Sequence, residues 1–282
     1  MCIRDRYMEG GKNFYCYNGA SPLPSAMFSV KYMLSSNPVD ESPLRTLVGS
    51  NNGNYLYRNN YCLPLGYMMS EKAIKGWESS MLDRIGSLNS LAQQLGAKGD
   101  MLYPATCTQS QAAGDTTIDI SEDGYYYADY VTCNADSLTV SRDDGWTQQY
   151  GKTTHRYLLD LGECKAGTKV HITNLNAEMI EYHVYRLNFK AMCTAYETLS
   201  EQTMSLEKMT DRRIVGSIDV RQAGRLILSV PADEGWSLYV DGKKTKIKPF
   251  ADALIGVHLK EGTHKIELRY TTPGVQLSLI HI

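Results

Sequence analysis

Phenylalanine is scarce in this sequence, at 4 residues against 20 tyrosines. A chain that draws its aromatic area from Tyr suits sheets with one wet face and surfaces that touch polar ligands. No run of about 18 apolar residues occurs, so nothing in the sequence reads as a membrane-spanning helix. The N-terminus places Arg4, Asp5 and Arg6 where a signal peptide would begin its apolar core. The seven cysteines (Cys2, Cys16, Cys62, Cys107, Cys133, Cys164 and Cys193) form no C-x-x-C pair, which excludes a zinc ribbon or a thioredoxin-type site. Their odd number and wide spacing argue for small buried hydrophobes such as Cys193, with a Cys133–Cys164 bridge as the alternative. There is no G-x-S-x-G elbow, no G-x-x-x-x-G-K-[ST] and no G-x-G-x-x-G opening a helix. The net charge is −2, and the densest basic run, Lys243, Lys244, Lys246 and Lys248, straddles a hairpin signal rather than forming a stripe. No nucleic-acid partner is expected from that distribution.

What the sequence does contain is 43% hydrophobic and 21% charged residues over 282 positions, enough for two or three globular domains. Residues 7–105 read as a mixed α/β section. Segment 26–35 reads as a helix turn running into a strand, Asn51-Asn52-Gly53-Asn54 as a turn, and Tyr61–Met69 as an edge or bulged strand. From Met81 to Leu95 the apolar residues fall on one helical face, with Gly96 as the stop. Residues 106–195 read as a β-sandwich of short strands divided by Asp143-Asp144-Gly145, Gly151 and Lys165-Ala166-Gly167. Residues 196–275 read as a second, smaller sandwich, in which Asp241-Gly242 is a two-residue hairpin signal. The fold class is therefore mainly β with an α/β N-terminal section and two consecutive sandwich modules of jelly-roll or immunoglobulin-like type. Residues 110–275 are expected to fold without the first section, and Tyr67-Met68-Met69 to be exposed if that section leans on other parts of a larger protein.

Chemistry-bearing clusters are few. His171 and His183 could sit on neighbouring strands as a metal pair, but cross-strand histidines are more often surface partners. Asp143-Asp144 and Glu122-Asp123 lie beside glycine in turns, where Asp caps backbone rather than acting across a cleft. No catalytic residue, metal site or cofactor is assigned. Trp146 and Trp236, each preceded by Gly, and Tyr239 are the candidate carbohydrate-stacking rings; closing the end of a core is the commoner use of such a Trp.

The segment from Arg225 to Gly274 carries a more specific pattern. A strand ending at Pro231 precedes Gly235-Trp236, then a V-D-G-K hairpin (Val240 to Lys243). A strand with central Gly256 follows, then G-x-H-x-ϕ-x-L-x-Y from Gly262 to Tyr270, and Thr272-Pro273-Gly274. This resembles the C-terminal extracytoplasmic module of the YfhO family of bacterial multi-pass membrane proteins. Asn60–Met69 and Tyr157–Thr168 resemble two further segments of the same family. The resemblance implies a parent of the membrane-embedded glycosyltransferase type, using a lipid-linked sugar donor, with lipoteichoic-acid glycosylation as the suggested role. It implies a place on the extracytoplasmic side of the cell membrane. Its partners would be the membrane helices of the same parent chain and a glycan or teichoic-acid acceptor. The family's catalytic acidic residue lies in an early loop that has no counterpart here. Residues 1–6 and 277–282 read as sequencing-adapter read-through and are set aside. The other readings are a stand-alone carbohydrate-binding or adhesion sandwich and a purely structural ectodomain.

Overall fold

The computed structural model describes residues 9–10, 15–16, 21–78, 80, 83–130, 135–151, 158–176 and 179–273. The residues set aside at the two ends lie outside that range. The chain runs β1 (Glu9–Gly10), β2 (Tyr15–Cys16), α1 (Pro22–Met27), β3 (Tyr32–Ser35), β4 (Arg45–Asn51), β5 (Asn54–Asn59), β6 (Gly66–Met69), α2 (Glu71–Gly76), α3 (Arg84–Gln94) and β7 (Leu102–Pro104). It continues with β8 (Cys107–Ala112), β9 (Asp115–Ile120), β10 (Gly124–Tyr130), β11 (Ser137–Arg142), β12 (Thr147–Gly151), β13 (Leu159–Cys164), β14 (Lys169–Asn174), β15 (Tyr182–Leu187) and α4 (Phe189–Ser200). The last part is β16 (Ser205–Thr210), β17 (Arg213–Val220), β18 (Gly224–Pro231), β19 (Trp236–Val240), β20 (Lys243–Thr245), β21 (Leu254–Leu259) and β22 (Gly262–Tyr270). Among the described residues strand makes up 50% and helix 15%, so the protein is mainly β with antiparallel sheets.

Two sandwiches are present. In the central one, a four-stranded sheet (β13-β10-β15-β7) faces a five-stranded sheet (β12-β11-β14-β9-β8). Their shared core holds Ile118, Tyr126, Tyr130, Leu138, Val140, Leu161 and Ile172. In the C-terminal one, a five-stranded sheet (β16-β17-β22-β19-β20) faces the three-stranded β21-β18-β6. Its core includes Met68, Leu226, Leu228, Leu238, Ile255, Ile266 and Leu268. β6 comes from the N-terminal section, more than 150 positions before its partner β18, with Met68 opposite Leu226 and Tyr67 opposite Ile227.

A third core joins the two sandwiches. The four helices pack there with Tyr67, Met69, Tyr125, Tyr127, Ile227 and Leu254. The strand period of two explains how one strand serves two cores. On β10, Tyr126, Ala128 and Tyr130 point into the central sandwich while Tyr125 and Tyr127 point toward the helices. On β6, Met68 points into the C-terminal sandwich while Tyr67 and Met69 point the other way. Tyr67, Met68 and Met69 are therefore buried, against the expectation of exposure. The exposed apolar surface lies instead on the small sheet β3-β5-β4, where Tyr32, Leu34, Val48 and Leu56 face outward.

The local signals hold in most places. Asp83 caps α3 by accepting from the Gly86 N–H at 2.8 Å, and Gly96 follows at φ +92°. Met81 and Leu82 of the expected helical face lie outside the described residues. Asp241 (φ +52°) and Gly242 (φ +78°) both take the left-handed conformation that the tight hairpin requires. Between the two sandwiches the chain forms the helix Phe189–Ser200. Asn188 begins it by accepting from the Ala191 N–H at 3.1 Å.

Candidate functional site

The three candidate carbohydrate rings do not share a surface. Trp146 lies in the central sandwich and is 7% exposed, with the Arg142 guanidinium over its ring at 4.8 Å. Arg142 is itself clamped by both oxygens of Asp40, at 2.6 and 3.0 Å, and by Asp144 at 2.8 Å. Trp236 and Tyr239 share β19, but three positions apart they point to opposite faces. Trp236 packs against the C-terminal core and meets Tyr270 edge-on at 5.0 Å. Tyr239 faces outward under the Arg269 guanidinium at 4.4 Å. Each ring thus has a protein partner.

The acidic turns behave as caps. Asp144 accepts from the Trp146 N–H at 2.9 Å, and Asp123 accepts from the Ala166 N–H at 2.9 Å. His171 lies on β14 and His183 on β15, strands of opposite sheets, so they are not the neighbours their spacing allowed. His171 instead hydrogen-bonds Thr117 at 3.1 Å across the sheet. Among the described residues no three His, Cys, Asp or Glu side chains converge as metal ligands. Cys62, Cys107, Cys164 and Cys193 are free thiols. Burial pushes the Cys164 thiol up to about 11, which keeps it a neutral core group. Cys133, its suggested bridge partner, lies outside the described residues.

A cleft of about 480 Å³ opens where the central sandwich meets α4 and the loop before β4. Tyr103, Glu163, Arg186, Asn188 and Phe189 line it, with Pro43 at its edge. Arg186 is positioned by Glu122 and by the Asp123 carbonyl, both in the β9–β10 turn. The Asn188 amide oxygen accepts the capping bond from the Ala191 N–H, and its NH₂ carries two donor hydrogens. Phe189 stands edge-on to Tyr61 at 5.6 Å. Aromatic rings beside an amide, a guanidinium and one carboxylate form a binding chemistry for a polar, ring-bearing molecule. Among the described residues that line it there is no second carboxylate beside Glu163. Sequence reading missed these residues, since they come from four separate elements. The capping signal at Asn188, just before the apolar run FKAMC, was the one local clue.

Behind the cleft lies a buried ionic network. Arg45 donates to Asp160 and to the Tyr125 hydroxyl, each at 2.7 Å, and Tyr125 donates to Asp160 at 2.8 Å. The pairing ties the β4 arm to the central sandwich, and its Tyr125 also lines the cleft.

A family model described as bacterial membrane protein YfhO matches residues 6–281. The Bacillus subtilis (strain 168) protein named "Uncharacterized protein YfhO" is 27% identical over 105 residues, covering 36% of this chain and 12% of that protein. The chain thus spans about an eighth of that relative's length. A solved cupin 2 conserved barrel domain protein from Leptotrichia buccalis aligns at 11% identity over 60% of this chain and 91% of its own. The TM-score of that alignment is 0.15. Among the described residues no helix is long and apolar enough to cross a membrane.

Proposed function

Because the chain belongs to the YfhO family of bacterial membrane proteins, we propose that it is the extracytoplasmic accessory region of a membrane glycosyltransferase-like protein. The family match across residues 6–281 is the observation that carries this reading. In it, sugar passes from a lipid-linked donor to an envelope polymer such as lipoteichoic acid, and the chemistry takes place elsewhere in the parent. This region contributes no catalytic residue; its part is to hold acceptor or glycan near the membrane. The cleft at Tyr103, Arg186, Asn188 and Phe189 is the place for that contact, since it combines ring faces with hydrogen-bond donors. The outward apolar face at Tyr32, Leu34, Val48 and Leu56 supports a docking role against membrane helices of the same parent.

Single-cysteine labelling in the full-length parent tests the placement. A cysteine at exposed Asn52 should react with an impermeant maleimide added to intact cells. Reaction only after lysis would overturn the extracytoplasmic reading. Binding is tested separately with purified lipoteichoic acid and a glycan array. Retention lost in Tyr103→Ala and Arg186→Ala, with unchanged folding, supports the cleft. A folded chain that retains no glycan favours a purely structural region.

A further inference from the structure

The outer face of the C-terminal five-stranded sheet carries a cationic grid that no linear stretch of sequence displays. Register aligns Lys208, Val215, Glu267, Tyr239 and Lys244 in one row across all five strands. The adjacent row brings Arg213 beside Arg269, and the row on the other side holds Ser217 beside Lys265. All these positions alternate with the core residues Ile214, Ile218, Ile266, Leu268 and Leu238, so they share the face turned away from the core.

Two features set this face apart from an ordinary solvated surface. Glu267 is sunk between Arg213 (2.7 Å) and Arg269 (2.8 and 2.9 Å), and Arg269 also lies over the Tyr239 ring. One carboxylate thereby fixes two guanidinium groups on this face, with donors left over. Lys208, Lys244 and Lys265 are exposed and have no ion pair among the described residues. Lysines that only keep an edge soluble belong on edge strands, whereas Lys265 and Arg269 stand on β22, the middle strand. Counting the registered outward positions, five cations face two acids, Glu267 and Asp219, for +3, while the whole chain is −2 and the remainder therefore −5. Across five strands the grid is about 19 Å wide at the usual strand spacing.

We propose that this sheet face lies against the phosphate headgroups of an anionic bilayer. The charge is complementary, the face is broad rather than grooved, and the family is one of membrane proteins. Fixed guanidinium groups suit phosphate oxygens, and the three unpaired lysines add a longer-range attraction. The inference rests on membership of a membrane family and not on the glycosyltransferase reading.

The test is sedimentation of the full chain with vesicles of mixed phosphatidylglycerol and phosphatidylcholine, and with phosphatidylcholine alone. Binding is expected to the mixed vesicles only and to weaken as salt rises. The triple variant Lys208→Glu/Lys244→Glu/Lys265→Glu should lower the partition coefficient more than tenfold, from roughly fivefold per lysine, with an unchanged thermal melt. A control of equal charge change elsewhere, Lys72→Glu/Lys98→Glu/Lys190→Glu, should bind as the parent chain does. Equal loss in the control, equal binding to neutral vesicles or no vesicle binding would each overturn the proposal. So would retention on soluble polyphosphate without retention on vesicles.

Discussion

Removing residues 1–105 takes β6 out of the C-terminal sandwich and leaves β18 as a bare edge. Four register pairs are lost, from Gly66–Leu228 to Met69–Arg225. So are three flanking backbone bonds, Ser229 N to Leu65 O at 2.8 Å, Met68 N to Gln202 O at 2.9 Å and Met204 N to Gly66 O at 2.8 Å. Each such bond contributes about 0.5–1.5 kcal/mol net. Met68, 5% exposed, leaves a hole in the core that costs about 2–5 kcal/mol by comparison with Met→Ala changes. Ile227, fully buried now, loses Tyr67 beside it and the part of the shared core that α1, α2 and α3 supply, another ~1.5–3 kcal/mol of apolar burial. Together these losses match the whole stability of a small domain, about 5–15 kcal/mol. The fragment 106–275 should therefore lack a cooperative transition for its C-terminal half, although its sequence alone reads as two self-sufficient sandwiches. Urea unfolding followed by circular dichroism and by the emission of Trp236, in a Trp146→Phe background, measures it. A companion fragment beginning at residue 60 should regain the transition. If 106–275 unfolds cooperatively at the midpoint of the full chain, the argument that β6 is integral is refuted.

Arg45→Met strands the Asp160 carboxylate and should cost about 3–5 kcal/mol in urea unfolding, with Asp160→Asn in the same chain restoring part of it. Gly216→Val places a Cβ 2.5 Å from the Ser205 carbonyl and should destabilise by about 1–3 kcal/mol. Gly242→Val meets no atom within 4 Å yet should cost about 1–2 kcal/mol in a thermal melt, because its φ of +78° strains any side chain. Arg269 and Arg213 hold the Glu267 carboxyl at about 2 against an ordinary 4.5. Its folded value lies below its unfolded one, so the triad's contribution is present above about pH 4.5 and is lost as pH falls toward 2. Urea midpoints across that window should fall less steeply in Glu267→Gln than in the parent chain.

What the sequence displayed and what it hid divide along a physical line. Turns announce themselves, because Asp241-Gly242 and Asn51-Asn52-Gly53-Asn54 are residue types chosen for a backbone conformation. Alternation along β17 or β22 is equally local. By contrast, GYYYADY over Gly124–Tyr130 is apolar on both faces, and nothing in it tells which tyrosines meet the other sheet and which meet helices. The same ambiguity hid β6: Tyr67-Met68-Met69 reads as an exposed apolar run until Leu226 and Ile227 are placed beside it. The cleft-lining groups are hidden more completely, since Tyr103, Glu163, Arg186 and Asn188 converge only through sheet register. The charge pattern shows the rule most sharply. Lys243, Lys244, Lys246 and Lys248 look like the basic cluster, yet only Lys244 belongs to the outward grid. Its companions Lys208, Arg213, Lys265 and Arg269 are spread over some sixty positions and are gathered by antiparallel pairing. A surface that recognises another surface across a sheet face is written at every second residue of several strands, so a linear scan for basic runs samples the wrong geometry.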